Sequence, residues 1–356
     1  MKQVMKKMIL AAAVTGTFAF SMGTASAVGA TTANASQAVG TNVVEAPKNV
    51  VPMHKEQVPG YYRLMVGDYE VTALYDGPGD LNSSLMEHHT DMTKAELDEI
   101  MDKAGAPRTE LGGLAGSING YLVNTGDHLI LVDSGKGEAE APIFFDKEGR
   151  LVESLKAAGY KPSQVDAILT THLHVDHIQG AVKEGKRVFK NATFYVQAQD
   201  KAFWVDTPLE QLPAAAHDFA KAARYTIGAY EEAGKVKIYN PGDNLFGEVK
   251  SIPLFGHTAG HTGFEFTSKG QSLLIWGDIM HNGFVQMSHP EVAIDFDSVD
   301  TMARQTRLSL LPQLAESNTI VAGAHLPFPG FGHIKKADNG DGYTWVPVSY
   351  IQFNKH

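Results

Sequence analysis

Short apolar runs separated by turn residues follow one another from residue 60 onwards. Two pairs of these runs flank turns that contain Gly and Asp, which is typical of β-hairpins. The first hairpin is predicted over residues 61–74 and is closed by residues 78–80, and the second is predicted over residues 118–132. Further strands are predicted at residues 165–170, 193–196, 236–253, 272–276, 319–322 and 345–348.

Helices are predicted where the apolar period lengthens to that of an amphipathic helix. Thr93 followed by Glu96 is a capping box, and it predicts a helix over residues 93–104. Further helices are predicted at residues 151–158, between residues 197 and 232, and at residues 298–316. Both halves of this region build strands that end in His or Asp, which predicts two sheets that meet at one site.

The first residues have the pattern of a secretory signal peptide. Lysines precede a short apolar run at residues 9–20, and Ala25-Ser26-Ala27 is an A-x-A cleavage pattern. The run is shorter than the roughly 20 residues that a spanning helix needs. We therefore expect cleavage near Ala27, export to the periplasm or the medium, a flexible lead over residues 28–55 and one folded domain over residues 56–356. An uncut N-terminal anchor is the alternative.

Charge and composition narrow the class of partner and of metal ligand. The 356 residues carry a net charge of −10, which argues against a nucleic-acid partner because no basic surface is indicated. After signal cleavage no membrane partner is expected. Cysteine is absent from the sequence, so disulfides and thiolate ligands are excluded. Any metal ion must therefore be held by His, Asp or Glu.

The most closely spaced candidate metal ligands lie in the run Thr-His-Leu-His-Val-Asp-His at residues 171–177. His172 and His174 are two residues apart, so they point to the same side of an extended segment. Asp176 and His177 follow where the chain would turn into a helix. Imidazole and carboxylate groups suit zinc, manganese, iron or cobalt. Because one catalytic zinc site needs three protein ligands and a water, four candidates this close together indicate two metal ions.

Three further candidate ligands, His257, Asp278 and His325, each follow a glycine-containing segment near a predicted strand end. Two ions with three ligands each and one bridging ligand need about seven protein groups, by extension of the same coordination rule. The three residues bring the set to that size.

The order H-x-H-x-D-H, G-H-T-x-G-H, G-D and a late histidine resembles the metallo-β-lactamase superfamily over roughly residues 60–350. The resemblance implies an α+β fold, a four-layer αβ/βα sandwich with the metals at the sheet edges. It implies that one ion is held by His172, His174 and His257, the other by Asp176, His177 and His325, and that Asp278 bridges them. His261 would then lie behind the ligands or serve in packing.

A closer resemblance is to enzymes of the methyl-parathion-hydrolase type, carried by residues 59–74, 120–126, 155–160 and 323–334. It implies an exported organophosphate hydrolase or a related lactonase, commonly a homodimer. It also implies two divalent metal ions, with zinc expected first and manganese, iron or cobalt as alternatives. The substrate pocket of this group is lined by aromatic and leucine side chains, and the matching positions are Leu81, Phe145, Trp204 and Phe219. Core packing is the alternative reading of Trp204 and Phe219.

The implied reaction is hydrolysis of a small molecule, a phosphotriester or a lactone ester. A hydroxide bridging two cations persists at neutral pH because the metals lower the pKa of bound water, and it attacks phosphorus or the carbonyl carbon. Asp176 and Asp278 are ligands that could also orient this hydroxide. His281, three residues after Asp278, is a candidate donor of a hydrogen bond or a leaving-group proton. A histidine at the pocket rim with no role is the alternative.

Other functions within the same superfamily are a β-lactamase and a glyoxalase-II-like thioesterase. The most familiar β-lactamase subclass has a cysteine where Asp278 stands, and the thioesterases are usually cytosolic. From a different class, a binding module without activity would be expected to have lost ligands, whereas all seven candidates are present. The physiological substrate depends on loops whose conformation a single sequence does not specify.

Overall fold

The computed structural model describes residues 51–139, 144 and 149–351. Pro59–His356 form one compact unit. Residues 51–58, which belong to a separate unit, are exposed and contain neither helix nor strand. The predicted signal peptide, its cleavage site and Phe145 lie outside the described residues. Within the described ranges, no helix combines the length and the apolar composition that crossing a membrane requires.

The strands are listed here in chain order. They are β1 (Tyr61–Val66), β2 (Tyr69–Leu81), β3 (Leu114–Asn124), β4 (Leu129–Val132), β5 (Ala167–Leu169), β6 (Val182–Lys183), β7 (Lys186–Arg187), β8 (Thr193–Gln197), β9 (Val236–Tyr239), β10 (Asn244–Leu245), β11 (Val249–Pro253), β12 (Thr262–Ser268), β13 (Gln271–Ile275), β14 (Ile320–Ala322), β15 (Phe331–Lys336) and β16 (Tyr343–Pro347).

The helices connect these strands and cover the sheets. They are α1 (Ser84–Glu87), α2 (Lys94–Lys103), α3 (Leu151–Ala157), α4 (Val175–Ile178), α5 (Ala198–Asp200), α6 (His217–Glu231), α7 (Gly283–Gln286) and α8 (Asp300–Glu316). A π-helical turn, Lys201–Asp206, follows α5 directly. The predicted capping box of α2 is present, with the Thr93 side chain accepting from the Glu96 backbone and the Glu96 side chain accepting in return.

Two sheets carry most of the strands. The first has the order β1-β2-β3-β4-β5-β8-β9 and the second has the order β10-β11-β12-β13-β14-β15-β16. In the first sheet β4, β5, β8 and β9 run parallel to one another, and in the second sheet β13 runs parallel to β14. Because the carboxyl ends of parallel strands meet at one edge, the loops that follow these strands converge at that edge. The remaining pairs in the two sheets are antiparallel.

The first predicted hairpin forms, but it does not close at residues 78–80. β2 continues to Leu81 and pairs with β3 throughout, with a register shift between Tyr75 and Gly77. A bulge of this kind bends the strand and lets pairing continue past turn-forming residues. In the two large sheets, β12 and β15 were not predicted, because glycine and charged residues interrupt their apolar alternation. The two-residue strands β6 and β7, which pair with each other, were not predicted either.

Three apolar layers hold the elements together. Between the sheets lie buried side chains of both, among them Val71, Leu169, Phe264 and Phe331. On the outer face of the first sheet, residues of α3 and α6 pack against β5 and β8. On the outer face of the second, α8 packs through Leu311. Each such side chain contributes about 1.5–3 kcal/mol when it leaves water. The result is a four-layer αβ/βα sandwich, which confirms the predicted α+β fold class.

Candidate metal centre

The seven candidate ligands lie at the edge where loops of the two sheets meet. His172 and His174 follow β5 in extended backbone, and Asp176 and His177 lie in the short helix α4 that comes next. His257 lies between β11 and β12, Asp278 follows β13 and His325 follows β14. The first sheet therefore supplies four of these side chains from one segment, and the second supplies three from separate loops.

The side chains form three overlapping groups in which potential ligand atoms lie within 4.8 Å of one another. The groups are His172, His174, His257 and Asp278; Asp176, His177 and His325; and Asp278, His281 and His325. Asp278 belongs to two groups, since its Oδ2 lies 3.2 Å from His325 Nε2 and 3.3 Å from His257 Nε2, while its Oδ1 lies 3.2 Å from His177 Nε2. All seven candidate ligands are buried except Asp176, whose side chain is 12% exposed.

Unpartnered atoms show that this arrangement suits divalent cations. His177 Nε2 and Asp278 Oδ1 are buried and make no hydrogen bond within the described part of the chain, although they lie 3.2 Å apart. His257 Nε2 lies 3.2 Å from His172 Nε2 and 3.0 Å from His174 Nδ1. Three imidazole nitrogens this close repel one another unless a proton or a cation lies among them. A donor set of imidazoles and carboxylates without sulfur fits zinc and the neighbouring first-row metals.

The protonation states in the site are set by burial and by the neighbouring charges. Burial lowers the pKa values of His172 and His174 well below the usual range, so both rings are neutral and can offer a lone pair. Burial also opposes ionisation of Asp278, but the surrounding histidines, His177 first, hold its pKa well below the usual value. The opposing effect of burial is likewise outweighed at His257, where Asp278 and Asp297 raise the pKa to about 9. Such coupled charges mark a site built around ionic groups.

Asp133 anchors the segment from the first sheet. It directly follows β4 and accepts from Thr171 N, from Thr171 Oγ1 and from His177 Nδ1, each at 2.8 Å. Its backbone has a φ of 59°, a conformation that costs energy for a residue other than glycine. The carboxylate of this strained residue thereby binds both Thr171 and His177, at the two ends of the segment.

His261 lies behind the ligands, as the sequence predicted. Its Nδ1 donates to the Leu254 carbonyl at 2.8 Å, so its Nε2 is free to accept from the Asp278 backbone N–H at 2.9 Å. Burial lowers the pKa of His261 to about 3, which keeps the ring neutral. Gly277 has a φ of 59°, and a Cβ there would lie 2.5 Å from His261 Nε2. The histidine and the glycine together set the course of the backbone into Asp278.

Two of the predicted pocket residues lie against the cluster. The ring of Trp204 is 5.4 Å from that of His174, and the ring of Phe219 is 5.0 Å from it. Trp204 lies in the π-helical turn, a feature often found at functional sites, and its Nε1 is buried without a partner. Leu81 is buried in an apolar cluster at this end of the fold, together with Phe296.

His281 is buried beside Asp278. Its Nε2 lies 3.1 Å from Asp278 Oδ2, its Nδ1 has no hydrogen-bond partner, and its ring stacks on His325 at 5.1 Å. The ring of Phe296 lies 5.8 Å away. A side chain that is 2% exposed is not at the rim, so the alternative of a rim histidine without contacts is wrong in its placement.

Three charged residues behind the centre were missed by the sequence reasoning. Asp200 accepts from Leu173 N, Thr258 Oγ1 and Gly260 N, at 3.1, 3.0 and 2.6 Å. Asp297 accepts from His257 Nδ1 at 2.9 Å, and Arg307 lies behind Asp297. Asp200 comes soon after a strand end, a signal that could have marked it. Nothing in their local sequence distinguishes Asp297 and Arg307.

Comparison with solved structures relates this fold to known hydrolases. The chain is similar to the hydrolase AbOPH in the beta lactamase superfamily, with 38% identity, a TM-score of 0.76 and coverage of 83% of this chain and 100% of that one. It is also similar to AidC, described as a dizinc quorum-quenching lactonase in complex with a product, N-hexnoyl-L-homoserine. The identity is 26%, the TM-score is 0.73, and the coverage is again 83% and 100%.

Comparison with known sequences also relates the chain to metallo-hydrolases. A probable metallo-hydrolase of Mycobacterium bovis is 24% identical over 253 residues, 60% of this chain and 76% of that protein. One of Methanocaldococcus jannaschii is 36% identical over 58 residues, so the matched part spans only 26% of that relative. The family model described as the metallo-beta-lactamase superfamily matches residues 113–325. The chain therefore belongs to the metallo-beta-lactamase superfamily and is a metallo-hydrolase.

Proposed function

We propose that this chain is an exported dinuclear hydrolase that opens lactone esters. The convergence of seven buried or nearly buried His and Asp side chains, with potential ligand atoms left unpartnered, carries the proposal. The similarity to a dizinc lactonase at 26% identity favours a lactone over other esters.

The proposed ligands divide into two sets that share Asp278. His172, His174 and His257 hold one ion, Asp176, His177 and His325 hold the other, and zinc is the expected metal. When bound, such ions polarise an ester oxygen and bring the pKa of water near neutrality. Hydrogen bonds hold the rings of His177 and His325 on the side away from the ions. Asp133 accepts from His177 Nδ1, and the Ser117 carbonyl accepts from His325 Nδ1 at 3.0 Å. Each ring then presents Nε2 to the centre.

His281 is proposed to serve the substrate rather than a metal. Asp278 accepts from its Nε2, so Nδ1 would donate to a substrate oxygen in the doubly protonated ring, which becomes neutral once that proton is transferred. A hydrogen bond to the ring oxygen of a lactone would stabilise the charge that develops there as the ester bond breaks. A proton held at Nδ1 could pass to the departing alkoxide. Phe296, which packs beside this ring, would limit access of water.

Phosphotriester hydrolysis is the second candidate function. It is favoured by the aromatic wall that Trp204 and Phe219 form beside His174. The ring of Trp204 forms a T-shaped pair with that of His174, and the ring of Phe219 is tilted against it. Flat apolar surfaces suit the aryl leaving groups of such esters. The unpartnered Trp204 Nε1 could donate to a substituent on that ring. The same wall would bind the acyl or aryl portion of a lactone, so both reactions could share one pocket.

A panel of substrates tests the function. Zinc-loaded enzyme is assayed on dihydrocoumarin, a long-chain acyl-homoserine lactone, methyl paraoxon and a cephalosporin, with and without EDTA. We expect lactone turnover to exceed that of the phosphotriester and EDTA to abolish both. Turnover of the cephalosporin alone, or activity that resists EDTA, would refute the proposal.

The role of His281 is tested with His281→Leu and His281→Asn, with the half-exposed His289→Gln as the matched control. General acid-base groups contribute about 10²–10⁴-fold, so we expect kcat on lactones to fall within that range in the Leu variant. We expect a smaller loss for methyl paraoxon when its leaving group is a good one that needs no proton. Equal kcat values for His281→Leu and wild type on both substrates would contradict the role.

Export and homodimerisation are proposed as well, on the strength of the leader pattern and of the resemblance. Expression of the full chain with a native-like secretion system is expected to yield a product that begins at Val28, detected by mass spectrometry. Sedimentation of that product is expected to give twice the mass of one chain. An intact leader in the folded enzyme, or a monomer at micromolar concentration, would count against the respective proposal.

A further inference from the structure

Arg307, in the middle of α8, is a buried cation behind the metal centre. It is 1% exposed, and its Nε donates to the Ile279 carbonyl at 2.7 Å. Its Nη1 donates to the carbonyls of Pro290 and Val292 at 2.9 and 2.6 Å. Burying a guanidinium is costly unless its charge and its N–H groups are satisfied. Packing alone would be served by an apolar side chain, so the position of this charge calls for a further explanation.

Asp297 connects Arg307 to His257. One carboxylate oxygen, Oδ1, accepts from His257 Nδ1 at 2.9 Å. The other, Oδ2, accepts from Ile294 N at 3.2 Å and lies 3.9 Å from Arg307 Nη2. The side chains of Asp297 and Arg307 are 0% and 1% exposed, so water does not screen their attraction. The carboxylate keeps the proton of His257 on Nδ1 and leaves the lone pair of Nε2 for the centre.

The start of α8 and the two residues before it also hold the backbone around His257. The Ser298 and Val299 N–H groups donate to the carbonyls of His257 and Gly256, each at 2.9 Å. Gly256 has a φ of 128°, and a Cβ there would lie 2.2 Å from the backbone nitrogen of Ala303. Only glycine allows the loop to approach the helix this closely. His257 is therefore held by backbone contacts as well as through Asp297.

Arg307 reaches a second ligand through the chain. The Ile279 carbonyl that it binds belongs to the residue after Asp278, the carboxylate shared by the two sets. One guanidinium thus braces the loop of Asp278 and, through Asp297, the ring of His257. By contrast, the ring of His177 is braced by Asp133 and that of His325 by a backbone carbonyl. Asp297 therefore contacts a ligand of one metal position only, whereas Arg307 also holds the loop of the shared Asp278.

We propose that Arg307 and Asp297 are positioning residues for the ion held by His172, His174 and His257. They set the ring orientation and tautomer of His257 and the approach of Asp278. This proposal rests on the ligand assignment of the proposed function. Loss of the Asp297 hydrogen bond weakens this metal position, whereas the position of Asp176, His177 and His325 is affected only through the shared Asp278.

Three variants and a control test the proposal. Asp297→Asn keeps the shape of the side chain but removes its charge. Arg307→Lys keeps the positive charge but loses the planar guanidinium and its set of N–H donors, and Arg307→Met removes both. Because Arg307→Met is expected to fold poorly, the first two carry the test. Arg304→Lys is the matched control, one turn earlier on α8, where the guanidinium binds the His89 carbonyl rather than Asp297.

Zinc affinity is measured by competition with a chromophoric chelator, and zinc content by mass spectrometry. Mutation of a residue that hydrogen-bonds a metal ligand typically lowers metal affinity by about 10–100-fold. Asp297→Asn should therefore lose one of its two zinc ions at a chelator concentration about 10–100-fold lower than wild type requires. Arg307→Lys should show a smaller loss of the same ion, and Arg304→Lys none. In the cobalt-loaded chain, the absorption bands of one ion should change and those of the other persist.

Stability of the metal-free chain separates positioning from simple structural support. A positioning role predicts that Asp297→Asn destabilises the zinc-loaded chain more than the metal-free one. Unchanged affinity for both ions in Asp297→Asn and Arg307→Lys would overturn this proposal alone. If the wild-type chain bound fewer than two zinc ions, the dinuclear assignment would fall and this proposal with it.

Discussion

The two sheets build their halves of the metal centre differently. The first supplies His172, His174, Asp176 and His177 from one segment, so one anchor, Asp133, holds both ends of it. The second supplies His257, Asp278 and His325 from three loops, and each needs a support of its own. The contrast teaches that a contiguous motif can share its scaffold, whereas dispersed ligands depend on separate residues elsewhere in the fold.

The largest expected effect is at the residue where the two halves meet. Asp278→Asn removes the charge that faces His177, His257 and His325, so both metal positions should weaken. Because outer partners alone cost about 10–100-fold, we expect lactone activity to fall by more than about 100-fold, with fewer than two zinc ions per chain. Asp68→Asn, an exposed acid paired with Lys269, is the control. Two tightly bound ions in Asp278→Asn would contradict a shared ligand.

Asp133→Asn tests whether one anchor serves the whole segment of the first sheet. The variant disturbs Thr171, next to His172, and also His177. We therefore expect both zinc affinities to drop by about 10–100-fold. This differs from Asp297→Asn, which should affect one ion. The comparison is made by the same chelator titration, and a loss confined to one ion in Asp133→Asn would remove the proposed asymmetry between the halves.

Asp200 joins the two halves, since it accepts from Leu173 on one side and from Thr258 and Gly260 on the other. Asp200→Asn leaves a buried amide N–H₂ facing N–H or O–H donors, which should cost about 1–3 kcal/mol of stability. Denaturation of the metal-free chain at pH 7 measures this loss. Asp218→Asn, exposed on α6, is the control. No loss in Asp200→Asn would mean that the loops hold together without this link.

Asp200 also predicts a pH effect. Burial raises the pKa of its carboxyl from 3.8 to about 6, against the lowering effect of its hydrogen bonds. A group whose pKa is higher in the folded state contributes stability that is present below the unfolded pKa and is lost as pH rises. Wild type should therefore lose this contribution between about pH 4 and pH 6. The slope over that window should be smaller in Asp200→Asn, as measured by urea unfolding.

The smallest expected change in stability is at His89, which contacts the segment around Asp297 that supports His257. Its Nε2 bonds Asp295 at 2.9 Å and its Nδ1 lies 3.4 Å from Asp300, on either side of Asp297. The Asp295 hydrogen bond, opposed by burial and aided by Asp300, raises the pKa of His89. Stability from this ion pair should be full below about pH 6.5 and lost as pH rises through the raised pKa.

His89→Gln should therefore destabilise the chain at low pH and have little effect at high pH. Because the ion pair is partly solvated, the difference should stay below about 1 kcal/mol. Unfolding of wild type and variant at about pH 5.5, below the ordinary histidine pKa, and at about pH 9, well above it, gives the two differences. A larger loss at pH 9 would reverse the assigned sign.

Some of the site could be predicted because its residues are neighbours in sequence or follow recognisable strand ends. The segment from His172 to His177 is readable from spacing, and Asp278 and His325 follow apolar runs that form β13 and β14. Asp297 and Arg307 could not be found in this way. Their roles arise from packing of α8 against the loop of His257, which brings together residues 40 positions apart in the case of Asp297.

The pocket shows the same limit. Trp204 and Phe219 were placed by resemblance, and only the packing of the π-helical turn and α6 sets their rings about 5 Å from His174. Aromatic residues in amphipathic helices have the same pattern whether they face a core or a ligand. Phe145 lies outside the described residues, and its role stays a prediction.

The sequence by itself determined two sheets that meet at one site, the metal-binding chemistry and seven candidate ligands, because apolar period, turn residues and ligand spacing are local properties of the chain. The layered αβ/βα arrangement was implied by the resemblance to the superfamily. The tertiary structure decided which ligands face one another, which buried acids hold them and how His281 meets Asp278. These contacts join residues far apart in the chain. They depend on how whole strands and helices pack, which no short stretch of sequence specifies.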